Sequence, residues 1–382
     1  MIEKLSNLTT GKKFFAGVLA TLILFAATAA ISFFVTRAFF AQTSFLTPIS
    51  KLTGETSEVE FGDVPCKLNG VKYSKSASDK WENRRPLSVM VENHTQARPQ
   101  SGISRADVVY EAVAEGGITR FLAIYHCLDA GDITPVRSAR TYYLDWLSEY
   151  DAVYSHVGGA NTPGPANALG QIRQYKIRDL DQFGLGFPTY WRGTDKFAPH
   201  NVHTTTEKLF KAAEERGWGA KDSGTGEAWD KNFKIWNFKD DVDLVQRGEQ
   251  QPIVVEFWSS QPDYTVTWKY NKEKNAFTRH HGEQVQVDTL TNEEIAAKVV
   301  IVQFAEERKA NDGYPGNVHL LYKTTGQGKA LIFQDGKVIV GTWRKKDRIS
   351  RTLFFDEKLN EISLNRGLIF IQTVPVGAKV TY

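Results

Sequence analysis

The hydrophobic pattern divides the chain into three stretches of different character. Residues Phe14 to Thr36 form an apolar run without a charged side chain, FFAGVLATLILFAATAAISFFVT. As a helix rising about 1.5 Å per residue, that run is long enough to cross roughly 30 Å of hydrocarbon. From Gln42 to Ser78 the sequence is polar, rich in Ser, Thr and Lys and free of periodicity, which predicts a linker. Folded structure is expected from near Trp81. Short apolar runs bounded by turn residues predict strands over Pro86 to Asn93, Val108 to Glu115, Thr119 to Cys127 and Ala152 to Val157. Between the last two, Ala139, Tyr142, Tyr143, Trp146, Leu147 and Tyr150 share one helical face, with Ser138 as the expected N-cap. Two more helices are expected. One is opened by Thr162 and Pro163; the other runs from Thr204, spaced from Glu207 as in a capping box, to Gly217.

Beyond Lys221 a Gly/Asp/Lys-rich passage leads into strand signals almost exclusively: IVVEF, YTVTWKY, AFTRHH, KVVIVQF, KALIFQDG, KVIVGTWRK and GLIFIQTV. Asp335-Gly336 between two alternating runs is a hairpin signal. The expected fold class is α+β. A cytoplasmic tail with a single N-terminal transmembrane helix (1–45) and an extracytoplasmic linker (46–80) precede a mixed α/β N-terminal domain (81–240) and a β-rich C-terminal domain (251–382).

Charge sharpens the first stretch. Lys4, Lys12 and Lys13 precede the apolar run and only Arg37 follows closely, so the positive-inside bias predicts a cytoplasmic N-terminus, a single-pass anchor and an extracytoplasmic body. A cleaved signal peptide fits less well, because the apolar core is too long and Phe39 and Phe40 crowd the cleavage position. With Glu3, these four basic residues account for the chain's whole net charge of +3. The body is therefore neutral, and nothing in its charge points to nucleic acid. The whole chain is 41% hydrophobic, and the body has enough apolar side chains for a folded core, which excludes a disordered body. The two cysteines, Cys66 and Cys127, both follow the anchor, where an oxidising compartment favours a bridge over two buried thiols.

The candidate chemistry is arginine-rich. From Trp81 to Tyr175 there is no lysine, but there are eight arginines, Arg98, Arg105, Arg120, Arg137 and Arg140 among them. The rigid guanidinium fork suits planar or tetrahedral anions and buried carboxylates. Ten acids share the stretch, so internal pairing is the competing reading. Three polar loops, Glu92 to Gly102, PVRSAR (Pro135 to Arg140) and APHNVHT (Ala198 to Thr204), are expected to carry binding groups. PVRSAR stands at a helix start, which already favours an anion. His94, His156, His200 and His203 match no metal motif; their expected role is to hold loops in place. No nucleophile elbow, Walker loop or dinucleotide fingerprint is present.

ENHTQARPQSGISRADVVYEAVAEGGITRFLAIY, PVRSAR and APHNVH closely resemble the YerB-like family of bacterial lipoproteins, whose two domains have no assigned function. The closing WRKKDRISRTLFFDEKLNEISLNRGLIFIQTVP resembles that family's C-terminal domain. Many relatives carry a lipidated cysteine; no lipobox is visible here, so the apolar helix is expected to replace the lipid. RADVVYEAV, TRFLAIY, ITPVRSART and YSHVGGANTPGPANAL are loosely similar in order to motifs of the LytR-CpsA-Psr phosphotransferases. That likeness implies Asp107 beside Mg²⁺ and Arg120, Arg137 and Arg140 on a lipid-linked pyrophosphate, although PVRSAR lacks the acidic residue that follows the motif arginine. The leading expectation is an envelope protein that binds an anionic or cell-wall-related ligand through His94, Arg98, Arg105, Asp107, Glu111, Arg120, Arg137, Arg140, His200 and Asn201. It has no assigned catalytic residue, and no cofactor outside the Mg²⁺ alternative.

Overall fold

The computed structural model describes residues 61–382, which belong to one compact unit. The expected anchor, tail and first part of the linker lie outside the described residues. Among the described residues no helix is long and apolar enough to cross a membrane. Structure begins earlier than expected: β1 (Phe61–Pro65) pairs with β2 (Lys72–Tyr73), and α1 (Lys75–Glu82) follows, capped by the Ser74 side chain. The polar composition of this stretch hides Leu68, Tyr73 and Trp81, which are buried. The disulfide between Cys66 and Cys127 ties it to the core.

The first half continues with β3 (Leu87–Glu92), β4 (Val108–Glu115), β5 (Ile118–Tyr125), α2 (Thr141–Ser148), β6 (Val153–His156), α3 (Ala168–Gln174), β7 (Asp179–Asp181), β8 (Trp191–Arg192), β9 (Val202–His203) and α4 (Thr206–Glu214). The strands fall where the apolar runs predict them, but each helix starts later than expected. Ser138 is not a cap: Ala139 bridges Gly159 in extended backbone, so the helix begins after Arg140, which makes no side-chain cap. Thr162 and Pro163 do not open a helix; Asn167 caps α3 by accepting from the Gly170 N–H at 2.7 Å. Thr204 is held in a bridge to Ile133, leaving Thr205 to cap α4 through the Lys208 N–H at 3.0 Å.

The second half supplies β10 (Ile253–Val255), β11 (Val266–Asn271), β12 (Ala276–His281), β13 (Val299–Ala305), β14 (Gly326–Gln334), β15 (Lys337–Lys345), β16 (Leu353–Asp356), β17 (Ile369–Pro375) and β18 (Val380–Thr381). Asp335 and Gly336 both take positive φ, 53° and 66°, at the β14–β15 hairpin.

The two halves share one ten-stranded sheet, in the order β16-β15-β14-β13-β17-β4-β5-β3-β6-β7. β17 is the seam. It pairs in parallel with β13 on one side and with β4 on the other, with Ile369 opposite Val108 and Gln372 opposite Glu111. β4, β13 and β17 are buried almost throughout, as continuous apolar strands covered on both faces must be. Their alternate residues serve two layers. Tyr110 stacks on Trp146 of α2 at 5.3 Å between ring centroids. On the other face, the smaller sheet containing β10, β11, β12 and β18 brings Trp268 against Phe370 at 5.0 Å.

Buried ion clusters stitch the halves together. Glu149, at the end of α2, accepts from Lys345 Nζ (2.9 Å), Arg351 Nη1 (3.2 Å) and Thr352 Oγ1 (2.5 Å). On the opposite face, Glu111 accepts from Arg279 Nη2 (2.7 and 2.9 Å), Thr119 Oγ1 (2.8 Å) and Gln372 Nε2 (2.9 Å).

Candidate functional site

β3, β4, β6, β13 and β17 point in one direction, and their carboxyl ends form one edge of the sheet. In open sheets with parallel strands this edge is where ligands bind. Glu92 ends β3, Glu115 ends β4, and His156 ends β6. The connector Pro135–Arg140 crosses this edge, fixed by main-chain bonds from Glu92 N to Pro135 O (2.9 Å), Arg137 N to Met90 O (2.8 Å) and Val136 N to Val202 O (2.8 Å).

Three guanidinium groups share two carboxylates there. Arg120 donates to Glu115 at 2.7 Å and to the Ser138 carbonyl at 2.9 Å. Arg140 also donates to Glu115. Burial works to raise the Glu115 pKa, yet Arg120 and Arg140 hold its carboxyl below the usual range. Arg137 reaches Glu92 through Nε at 3.1 Å, and its side chain is 24% exposed. Its two terminal nitrogens have no protein partner among the described residues. The second oxygen of Glu92 bonds His200 Nδ1 at 3.0 Å. His94 stacks on His200 with ring centroids 4.7 Å apart and planes 14° from parallel. Burial, then the neighbouring His200, lowers the His94 pKa, and its Nδ1 accepts from the Gln96 N–H at 3.2 Å.

Arg98 stands on the far side of the Thr95–Ala97 turn. Its Nε donates to Asn93 Oδ1 (3.1 Å), its Nη1 donates to the Asp263 carbonyl (3.0 Å), and it lies 5.1 Å over the Tyr264 ring. Burial, then the charge of Arg279, brings its pKa down to about 10. Among the described residues no carboxylate forms an ion pair with Arg98. It lines a cavity of about 420 Å³ with Thr95, Pro99, His281, Gln284 and Gln286.

His94, Arg120, Arg137, Arg140 and His200 thus converge, with Arg98 beside them, and four other expected ligand-binding residues do not join them. Glu111 is fully buried with its oxygens occupied by Arg279, Thr119 and Gln372. Asn201 is spent on the β8–β9 hairpin, accepting from Arg192 Nη1 and donating to the Gly193 carbonyl, both at 2.8 Å. Asp107 and Arg105 lie at the amino end of β4, the opposite edge. Arg120 sits across from Ala112, five residues along, or about 17 Å from Asp107 at the usual strand rise.

Asp107 is fully buried and accepts from Asn69 Nδ2 (2.7 Å), His126 N (2.7 Å) and Cys127 N (3.0 Å). Burial raises its pKa to about 7. It therefore cannot act with Arg120, Arg137 and Arg140 as the phosphotransferase likeness implies. It does lie near Cys66 and Cys127 in the spacing of a metal site, but those sulfurs are joined to each other. His156 and His203 have both ring nitrogens engaged, His156 by Gly158 and Asp179, His203 by Asp132 and Asp195.

The pairing partners are the part that local sequence hides. Arg279 and Gln372 look like ordinary strand residues, and nothing nearby in the chain marks their meeting with Glu111. Glu92 carries a weak signal, because it opens one of the polar loops.

Comparison with known proteins agrees with this architecture. Residues 74–219 match the model described as "Protein of unknown function (DUF3048) N-terminal domain", and residues 253–371 match its C-terminal counterpart. "Putative lipoprotein YerB" of Bacillus subtilis is 30% identical over 283 residues, which cover 74% of this chain and 80% of that protein. The crystal structure of the YerB protein from Bacillus subtilis superposes with a TM-score of 0.70 at 26% identity, covering 83% of this chain and 99% of that one. The chain belongs to the YerB-like family, built from the DUF3048 N-terminal and C-terminal domains.

Proposed function

We propose that this is an envelope protein, held at the outer face of a bacterial membrane, that binds anionic groups of envelope components at the carboxyl edge of its long sheet. The observation that carries the reading is Arg137. Its Nε lies in ion-pair contact with Glu92 at 3.1 Å, and its two terminal nitrogens have no protein partner among the described residues, a fork shaped for carboxylate or phosphate oxygens. Within this cluster three arginines face two carboxylates, and Arg98 stands next to it. The location rests on the apolar run Phe14 to Thr36, on a disulfide of the kind that persists outside the cytoplasm, and on a relative described as a lipoprotein. In this chain the helix takes the place of the lipid, with the N-terminus in the cytoplasm.

The test is thermal unfolding and calorimetry with inorganic phosphate, pyrophosphate and muropeptides. A ligand at a hundred times its dissociation constant stabilises by about 2.7 kcal/mol. Arg137→Ala should remove that stabilisation and Arg137→Lys should retain part of it. Equal stabilisation of wild type and Arg137→Ala, or none in wild type, would refute the reading.

A further inference from the structure

We propose that Glu92 and His200 form a general-base pair for water-dependent hydrolysis of a carboxylic ester whose nearby anionic group is held by Arg137. This inference rests on the anion-binding reading of Arg137.

His200 is nine-tenths buried, and its backbone N–H is tied to the Phe197 carbonyl at 2.9 Å. Its Nδ1 meets a carboxylate oxygen, which only accepts, so Nδ1 carries a proton, and in the neutral ring Nε2 holds the lone pair. No group among the described residues partners Nε2. The Glu92 backbone is in turn held by its own N–H to Pro135 O and by Gln100 Nε2 donating to its carbonyl at 3.0 Å, and its carboxylate is in ion-pair contact with Arg137. A buried carboxylate orienting an imidazole whose far nitrogen is free is the arrangement that makes histidine a base. His94 has the opposite tautomer. Because its Nδ1 accepts from Gln96 N–H, its proton is on Nε2, and the neutral ring offers a donor alongside His200.

One base must take the proton from the attacking water and return it to the leaving group, and this selects the reaction. In-line displacement at phosphorus puts entering and leaving oxygens on opposite sides, out of reach of one imidazole. Addition and elimination at a carbonyl carbon keep both on one tetrahedral centre. Water adds to the carbonyl carbon, its proton passes to His200 Nε2, and the carbonyl π pair moves onto oxygen, where the His94 N–H hydrogen-bonds the oxyanion. Collapse breaks the bond from carbon to the alkoxy oxygen, which takes the proton from His200. The balance is ester plus water to carboxylic acid plus alcohol, with both histidines restored. Glu92 is a positioning residue.

The full-length protein in detergent should be assayed with mono(4-nitrophenyl) glutarate, neutral 4-nitrophenyl butyrate and bis(4-nitrophenyl) phosphate. The expected result is a preference of tenfold or more in kcat/KM for the anionic ester, with kcat falling at least about 100-fold in His200→Gln. Arg137→Ala should lose the preference chiefly through KM, with a smaller fall in kcat because Arg137 also contacts Glu92, whereas Glu92→Gln should lower kcat for both esters and displace the pH profile. Absence of ester turnover in wild type, unchanged turnover in His200→Gln, or faster phosphodiester turnover that depends on His200 would overturn the proposal. Phosphate-dependent thermal stabilisation, measured on the same samples, keeps the two readings separable: if it persists without turnover, only the hydrolase inference falls. Should His200→Gln not fold, imidazole ¹⁵N shifts of the wild type decide, since a proton on Nε2 of His200 rather than Nδ1 also overturns it.

Discussion

Arg279→Met is expected to be among the most damaging single substitutions in the body. Arg279 and Glu111 are both completely buried, and Arg279 lies 5.1 Å over the Phe121 ring. Removing the guanidinium leaves a carboxylate in the core with only neutral donors, Thr119, Gln372 and Asn93. Breaking a buried ion pair from one side costs about 3–5 kcal/mol, whereas removing both charges costs far less than the two separate losses. Equilibrium unfolding in urea, followed by tryptophan fluorescence, should show the single loss, and thermal unfolding a fall of roughly 4–7 °C in Tm. Glu111→Gln/Arg279→Met should be less destabilised than the sum of its single changes by about 1–3 kcal/mol. A single-variant cost below about 1 kcal/mol, or strict additivity, would show that the pair is not a structural tie between the halves.

Other outcomes follow from the described geometry. Replacing both Cys66 and Cys127 by serine should cost about 4 kcal/mol on the chain-entropy model for their separation of 61 residues, read as a lower urea midpoint; equal midpoints would refute it. Two buried histidines should act oppositely on acid stability. Burial, then Arg84, lowers the His126 pKa to about 3, so its unfolded form takes up a proton that the folded form refuses. Stability is lost as pH falls from about 6.5 toward 3. Burial pulls His203 down, but Asp132 and Asp195 hold it raised, so its contribution is present below about 6.5 and is lost as pH rises through its folded pKa. His203→Gln should flatten that upper window in a pH series of Tm values, and an unchanged slope would remove His203 as its source.

Much of the scaffold is readable locally. VVYEAVAE begins and ends as its apolar run does, and Asp335-Gly336 turns where hairpin chemistry requires. Helix starts are less readable because backbone pairing outranks side-chain capping: Thr204 has the right spacing to Glu207 but is committed to a bridge with Ile133. The polar stretch before Trp81 reads as a linker because only a few aromatic and aliphatic anchors fold it, and their partners lie far along the chain. At the site, arginine content singles out Arg137 and Arg120, and composition also warns that carboxylates will share them. It does not separate Asp107 from them. Opposite ends of one strand look adjacent in sequence, while the sheet places them on opposite edges.

The position of β17 bears on how the protein is made. Ribosomes deliver residues 369–375 after the other nine strands of the ten-stranded sheet, yet this strand occupies its middle. Until it arrives, β4 and β13 each present an unpaired, apolar edge, the kind of surface that invites pairing with another chain. Neither family domain can then finish folding ahead of the other. A nascent chain stalled before Ile369 should therefore be a client for chaperones, and a frameshift just before Ile369 should be as harmful as one in the first half.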